Sequence, residues 1–153
     1  TASTDAKRAI AIAAGAELAI DYKDFSKPVK DFTNGIGANV IYDGVGKDTF
    51  DEGLLALRRR GTLAVFGAAS GQVAPIEIMK ISSGSIFLTR PTLADYVAER
   101  SELLWRANEV FEAFRLGHMQ VAIGGRYPLA DAASAHRDLE TRQSTGKLIL
   151  QVR

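Results

Sequence analysis

Two periodicities alternate along this chain. Near its start Ala6, Ile10, Ala13 and Ala14 recur on one side of a helix. Thr4 and Asp5 stand where they can cap and charge its first turn, and Gly15 where it can end the helix. The apolar run LAID, Leu18 to Asp21, then reads as a buried strand. Ser26 and Pro28 open a short helix through Phe32 that Asn34-Gly35 stops, and VIYD, Val40 to Asp43, is a second strand. Thr49 to Leu57 repeats apolar residues at helical spacing, Gly61 closes that unit, and Thr62 to Phe66 forms a third strand. Beyond Gly71 the pattern gives a polar loop and one or two helical turns around Ile76 to Lys80. The strand SIFLT follows, ended by Arg90-Pro91. Leu103, Ala107, Val110, Phe111 and Phe114 make a long amphipathic stripe that Gly117 terminates. A helix from about Leu129 to Glu140 and a strand KLILQV complete the chain.

Helices alternating with short, uniformly apolar strands predict a parallel sheet covered on both faces. Ligands of such sheets gather at the carboxyl ends of the strands. Asp43-Gly44-Val45-Gly46 and Phe66-Gly67-Ala68-Ala69 fall at two of those ends. Their glycines either leave a trough for a ligand or only serve tight turns.

Composition narrows the function without naming it. With 153 residues, 46% hydrophobic and 24% charged, the chain is one ordinary soluble domain or a piece of one. Nineteen Lys and Arg against 18 Asp and Glu leave a net charge of +1, so no global field favours nucleic acid or an anionic membrane. Any anion site must be local. Apolar runs fall short of a membrane span and no charged-then-apolar leader is visible, which fits a cytoplasmic protein. The absence of cysteine removes disulfides, zinc ribbons and thiol catalysis within these residues. Because the chain opens TASTDAKRAI, with no Met, and enters a helix at once, a further part is expected upstream.

Other candidates reduce to ordinary roles. His118 and His136 have no Cys, Asp or Glu at metal-ligand spacing, so no metal site is expected. Arg58-Arg59-Arg60 reads as a helix C-terminus, where cations meet the negative end of the dipole, and Asp51-Glu52 as first-turn surface charge.

The ordered series STDAK, IDY, VIYDGVGKDTF, RRRGTLAVFGAASG, FLTRP, RYPLADAASAH and STGKLIL resembles the carboxyl-terminal half of the NADPH-dependent quinone oxidoreductases. These form a zinc-free branch of the medium-chain dehydrogenase superfamily. The resemblance implies a partial doubly wound, Rossmann-type parallel sheet lacking its first βαβ unit. Residues 1–125 would be the later part of the NADP-binding domain, and 126–153 a helix and strand returning to a catalytic domain. The chain would begin just after the second strand of the nucleotide domain. The pyrophosphate-binding glycine turn would then lie upstream, the first strand here would lose its neighbour, and these residues alone would bind NADPH poorly.

The same resemblance assigns a cofactor site. Ser3, Lys7, Tyr22 and Arg142 would converge on the ribose 2′-phosphate, and Ser3 and Lys7 sit where a helix start already favours an anion. Adenine and nicotinamide riboside would pass the ends of three strands, at Asp43, Gly44 and Val45, at Phe66, Gly67 and Ser70, and at Thr89, Arg90 and Pro91. Ser70 could bond the carboxamide or ribose. Asp43 could equally be a turn residue or a solvated partner of Lys47. Gly44 stands where relatives often carry serine or asparagine, and Ala68-Ala69 where polar residues are common, so hydrogen bonding near the nicotinamide would be sparse.

The implied activity is hydride transfer from NADPH to a quinone or related conjugated carbonyl, with no catalytic acid named in these residues. The implied assembly is a homodimer through the edge strand Ser85 to Thr89, since an apolar edge should be paired or covered. Two rivals remain. One is a zinc-dependent alcohol dehydrogenase with its ligands elsewhere; the other is a non-enzymatic α/β signalling or scaffold domain using Asp43 as phosphoacceptor.

Overall fold

The computed structural model describes residues 1–141 and 144–152 and separates into two compact units, Thr1–Tyr96 and Val97–Arg153. In the first unit α1 spans Asp5–Ala13, with the Thr4 hydroxyl accepting the Lys7 N–H, as its capping residue foretells. Helix α2, Ser26–Phe32, stops at Asn34 and Gly35, both at positive φ. Strand β1, Ala38–Asp43, leads to α3, Phe50–Ala56, and directly into β2, Leu57–Val65. A 3-10 turn over Ile78–Ile81, strand β3, Phe87–Thr89, and the short α4, Leu93–Tyr96, follow.

The three strands lie in the order β1-β2-β3 and every pairing is parallel, with Val40 opposite Thr62 and Leu63 opposite Leu88. The expected parallel α/β arrangement is therefore present. All three strands point their carboxyl ends the same way, so residues after Asp43, Val65 and Thr89 form one rim. Phe50, Leu57, Leu63 and Val65 make the core, with Ile41, Leu54, Ile86 and Leu88 packed against it. Gly53 lets α3 sit close to the sheet, since a Cβ there would come within 3.3 Å of a Leu63 methyl.

Several expectations change. Residues 18–21 are not a strand, and Leu18 is exposed. A strand is stable only with a ladder partner, and none of β1 to β3 pairs with this segment; Ile20 accepts instead from the Ala2 N–H at 2.9 Å. The arginine run is not a helix end. It lies in β2, where the β1 register shifts between Ala38 and Val40 and Arg60 turns at φ 57°. The strand expected at Ser85–Thr89 begins only at Phe87, because Ser85 holds a positive φ.

In the second unit α5, Arg100–Arg115, carries the expected stripe, and Gly117 follows at positive φ. Leu103, Val110, Phe111 and Phe114 are all exposed. Strand β4, Ile123–Pro128, was not evident in a stretch containing Gly124, Gly125 and Pro128; it pairs parallel with β5, Lys147–Gln151. Between them a 3-10 turn, Leu129–Asp131, runs into α6, Ala132–Glu140, and the Tyr127 hydroxyl donates to Asp138 on that helix. Among the described residues no helix is long and apolar enough to cross a membrane.

Candidate functional site

The glycine-rich rim is a pair of loops bonded to each other. The ladder from Asp43 opposite Val65 does not stop where the strands do. Phe66 and Gly67 N–H groups donate to the Asp43 carbonyl, Ala69 donates to Gly44, Ser70 to Val45, and Lys47 back to Gly71, at 2.9–3.2 Å. The Ser70 hydroxyl fastens the same junction, donating to the Val45 carbonyl at 2.8 Å and accepting the Asp48 N–H at 3.0 Å.

This contact accounts for the glycines. A Cβ on Gly67 would lie 2.4 Å from the Gly44 oxygen, and one on Gly46, already at φ +87°, 2.8 Å from the Gly71 oxygen. Both distances are far inside van der Waals contact with backbone that cannot swing away. Close approach of loop to loop therefore requires glycine, whatever else binds there.

Asp43 is buried, at 5% exposure. Its Oδ1 accepts the Val45 and Gly46 N–H groups at 2.8 and 3.0 Å, and the Thr49 hydroxyl donates to both carboxylate oxygens. The side chain is a turn residue that fixes the first loop onto the start of α3, not a solvated partner of Lys47. Thr49 is read from the sequence only as the start of a helical run; its bond to Asp43 carried no signal there.

Cavities flank the loops. On the β1 side, about 270 Å³ runs along β1 to its carboxyl end, lined by Phe25, Val29, Ala38, Asp43, Gly44 and Val45 among others. On the β3 side, about 430 Å³ is lined by Phe50, Gly67, Ala68, Ile76, Thr89 and Arg90 among others. Six expected site residues thus border two hollows separated by the bonded loops. Phe66 is exposed, and a Cβ on Gly44 would meet its ring at 2.9 Å. Pro91 is half-buried just after β3. The loop from Gln72 to Ile76 also lines the second hollow and carried no sequence signal beyond its apolar residues.

The remaining residues lie at the start of α1. Ser3 precedes the cap and Lys7 stands in the first turn, while Tyr22 is half-buried just beyond Asp21. Arg8, not singled out in the sequence, links these segments. Its guanidinium donates to the Ala2 carbonyl at 2.9 Å and to Asp21 at 3.1 Å, and pairs with Asp5. The Asp21 pKa is lowered, chiefly by the Lys23 N–H, then by the Tyr22 N–H and Arg8. Asp5 raises that of Arg8. Arg142 lies outside the described residues. Among the described residues no group of three His, Cys, Asp or Glu side chains is placed to hold a metal ion.

Parallel strands with a common carboxyl rim, glycine loops in contact and a capped helix start nearby define a Rossmann-type α/β fold. The family model described as zinc-binding dehydrogenase matches residues 14–150, and the chain belongs to that family. It is 39% identical over 150 residues to a probable quinone oxidoreductase of Schizosaccharomyces pombe, aligning 98% of this chain with 46% of that one. It is 37% identical over 154 residues to a 2-haloacrylate reductase of Burkholderia, again 98% of this chain and 46% of the relative. The crystal structure of Escherichia coli quinone oxidoreductase complexed with NADPH matches with a TM-score of 0.91 at 36% identity, over 97% of this chain and 47% of that one. The chain spans about half the length of the curated relatives it matches.

Proposed function

We propose that the protein carrying this chain is a cytoplasmic NADPH-dependent oxidoreductase that passes hydride to a quinone or another electron-poor conjugated carbonyl. In this reading residues 1–125 belong to its NADP-binding domain and 126–153 return towards a catalytic domain. The observation that carries it is the rim of three parallel strand ends beside a capped, lysine-bearing helix start, in a chain similar to an NADPH-complexed quinone oxidoreductase.

The described residues fit such a coenzyme in two places. Ser3 and Lys7 offer a hydroxyl and a cation at the positive end of a nine-residue helix, suited to a 2′-phosphate, with Tyr22 as a neighbouring donor. Gly44, Val45, Phe66, Gly67, Thr89, Arg90 and Pro91 would line the path of the two ribosides. The carboxylate of Asp43 and the hydroxyl of Ser70 serve that path by holding the loops in shape. When bound, the coenzyme supplies the hydride; the protein's share is orientation and charge at the phosphate. The acceptor of the Burkholderia relative, a haloacrylate, is also an activated conjugated double bond, which widens the acceptor class without changing the chemistry.

A homodimer through β3 belongs to the same proposal. β3 is an edge strand and Phe87 on it is 62% exposed.

Steady-state kinetics of the enzyme carrying this chain, with NADPH and NADH across quinones and enones, test the reading. The expected result is a preference of at least about tenfold in kcat/KM for NADPH, roughly one charge-assisted contact. Equal use of both coenzymes, or turnover of alcohols with NAD alone, would contradict it.

A further inference from the structure

Arg8 sits one residue beyond Lys7, on the second turn of α1, and its guanidinium makes three contacts within the first unit. One nitrogen donates both to the Ala2 carbonyl at 2.9 Å and to Asp21 at 3.1 Å, and the other pairs with Asp5. The Ala2 N–H runs the opposite way, to the Ile20 carbonyl at 2.9 Å. Residues 1–3 are thereby tied at two points to the segment that ends at Asp21 and leads into Tyr22. That segment has no ladder bonds to β1, β2 or β3.

The ties also have an electrostatic side. Asp5 and Asp21 flank the helix start, and either carboxylate alone would repel an anion approaching Ser3 and Lys7. With Arg8 in place, the charges of Asp5, Asp21, Lys7 and Arg8 cancel; without it they leave a negative excess beside the proposed phosphate position. Asp21 keeps its own charge through the Lys23 and Tyr22 N–H groups, so removing Arg8 would not simply neutralise it.

We infer that Arg8 is a positioning residue for coenzyme choice: it locks the turn before α1 onto residues 20–22 and offsets Asp5 and Asp21, so that a 2′-phosphate can be held at Ser3 and Lys7. The inference rests on the 2′-phosphate reading above and concerns a side chain that need not touch the coenzyme.

The test is a binding measurement, independent of turnover. The protein carrying this chain is titrated with adenosine 2′,5′-bisphosphate and with 5′-AMP, followed by amide chemical shifts. The wild type should bind the bisphosphate more tightly, and Lys7→Ala should erase that margin. Arg8→Gln should weaken the bisphosphate about tenfold while changing 5′-AMP less than about twofold, the scale of one lost charge near a phosphate. Arg8→Lys, which keeps the charge but not the forked geometry, should retain part of the margin. Adding Asp21→Asn to Arg8→Gln should restore part of it by removing the uncompensated carboxylate. If Lys7→Ala erases the margin but Arg8→Gln weakens both nucleotides equally, or neither, the role given to Arg8 is wrong and the phosphate reading survives. If the wild type shows no margin, or Lys7→Ala leaves it intact, the phosphate reading fails and takes this inference with it.

Discussion

Gly67 shows at the scale of one residue what the strand-end glycines do. Its missing Cβ is where the Gly44 backbone passes, so Gly67→Ala should destabilise the fold by about 1–3 kcal/mol through forced backbone shifts, read as a lower denaturation midpoint. Asp43→Ala should cost about 1–3 kcal/mol or more, since it strands the Val45 and Gly46 N–H groups and the Thr49 hydroxyl in a buried place. Ser70→Ala removes a half-buried tie and should cost about 1 kcal/mol, with faster hydrogen exchange at the Asp48 amide. A result near zero for Asp43→Ala would show that its turn does not hold the loop. Both readings of the glycines were legible from the sequence, but the winning contact was not. The contact joins residues more than twenty positions apart, and nothing in either loop alone says that the other will lie against it. Arg8 was hidden similarly: a spacing of three from Asp5 suggests a helix pair, yet the bonds to Ala2 and Asp21 depend on how residues 18–22 return.

At the scale of elements, pattern located α1, α3 and α5 by helical spacing, α2 by its start and stop residues, and the cores of β1, β2, β3 and β5 by short apolar runs. It failed where pairing outweighs pattern. LAID is as apolar as a buried strand, but no strand of the sheet lies beside it; β4 reads as a glycine loop, yet β5 gives it a ladder. The arginine run shows the same competition, since α3 ends at Ala56 and the chain enters the sheet at once. β3 supports a prediction of its own. Sedimentation of the protein carrying this chain should give a dimer mass, and Phe87→Lys, which sets like charges across a two-fold edge, should shift it towards monomer. A monomer at all concentrations for the unaltered protein would remove β3 as an interface.

For the molecule as a whole, the central claim is that the start of α1 and the strand-end rim of the first unit receive different parts of one phosphorylated dinucleotide. The family resemblance carried in seven short segments was enough to bring this claim to the sequence. The most direct test is titration of the protein carrying this chain with NADP⁺, mapping amide chemical shifts. The account predicts changes at Ser3, Lys7 and Tyr22 together with changes in loops 43–47 and 66–71, and the loss of the first group when NAD⁺ replaces NADP⁺. Changes confined to other surfaces, or identical maps for the two nucleotides, would contradict it.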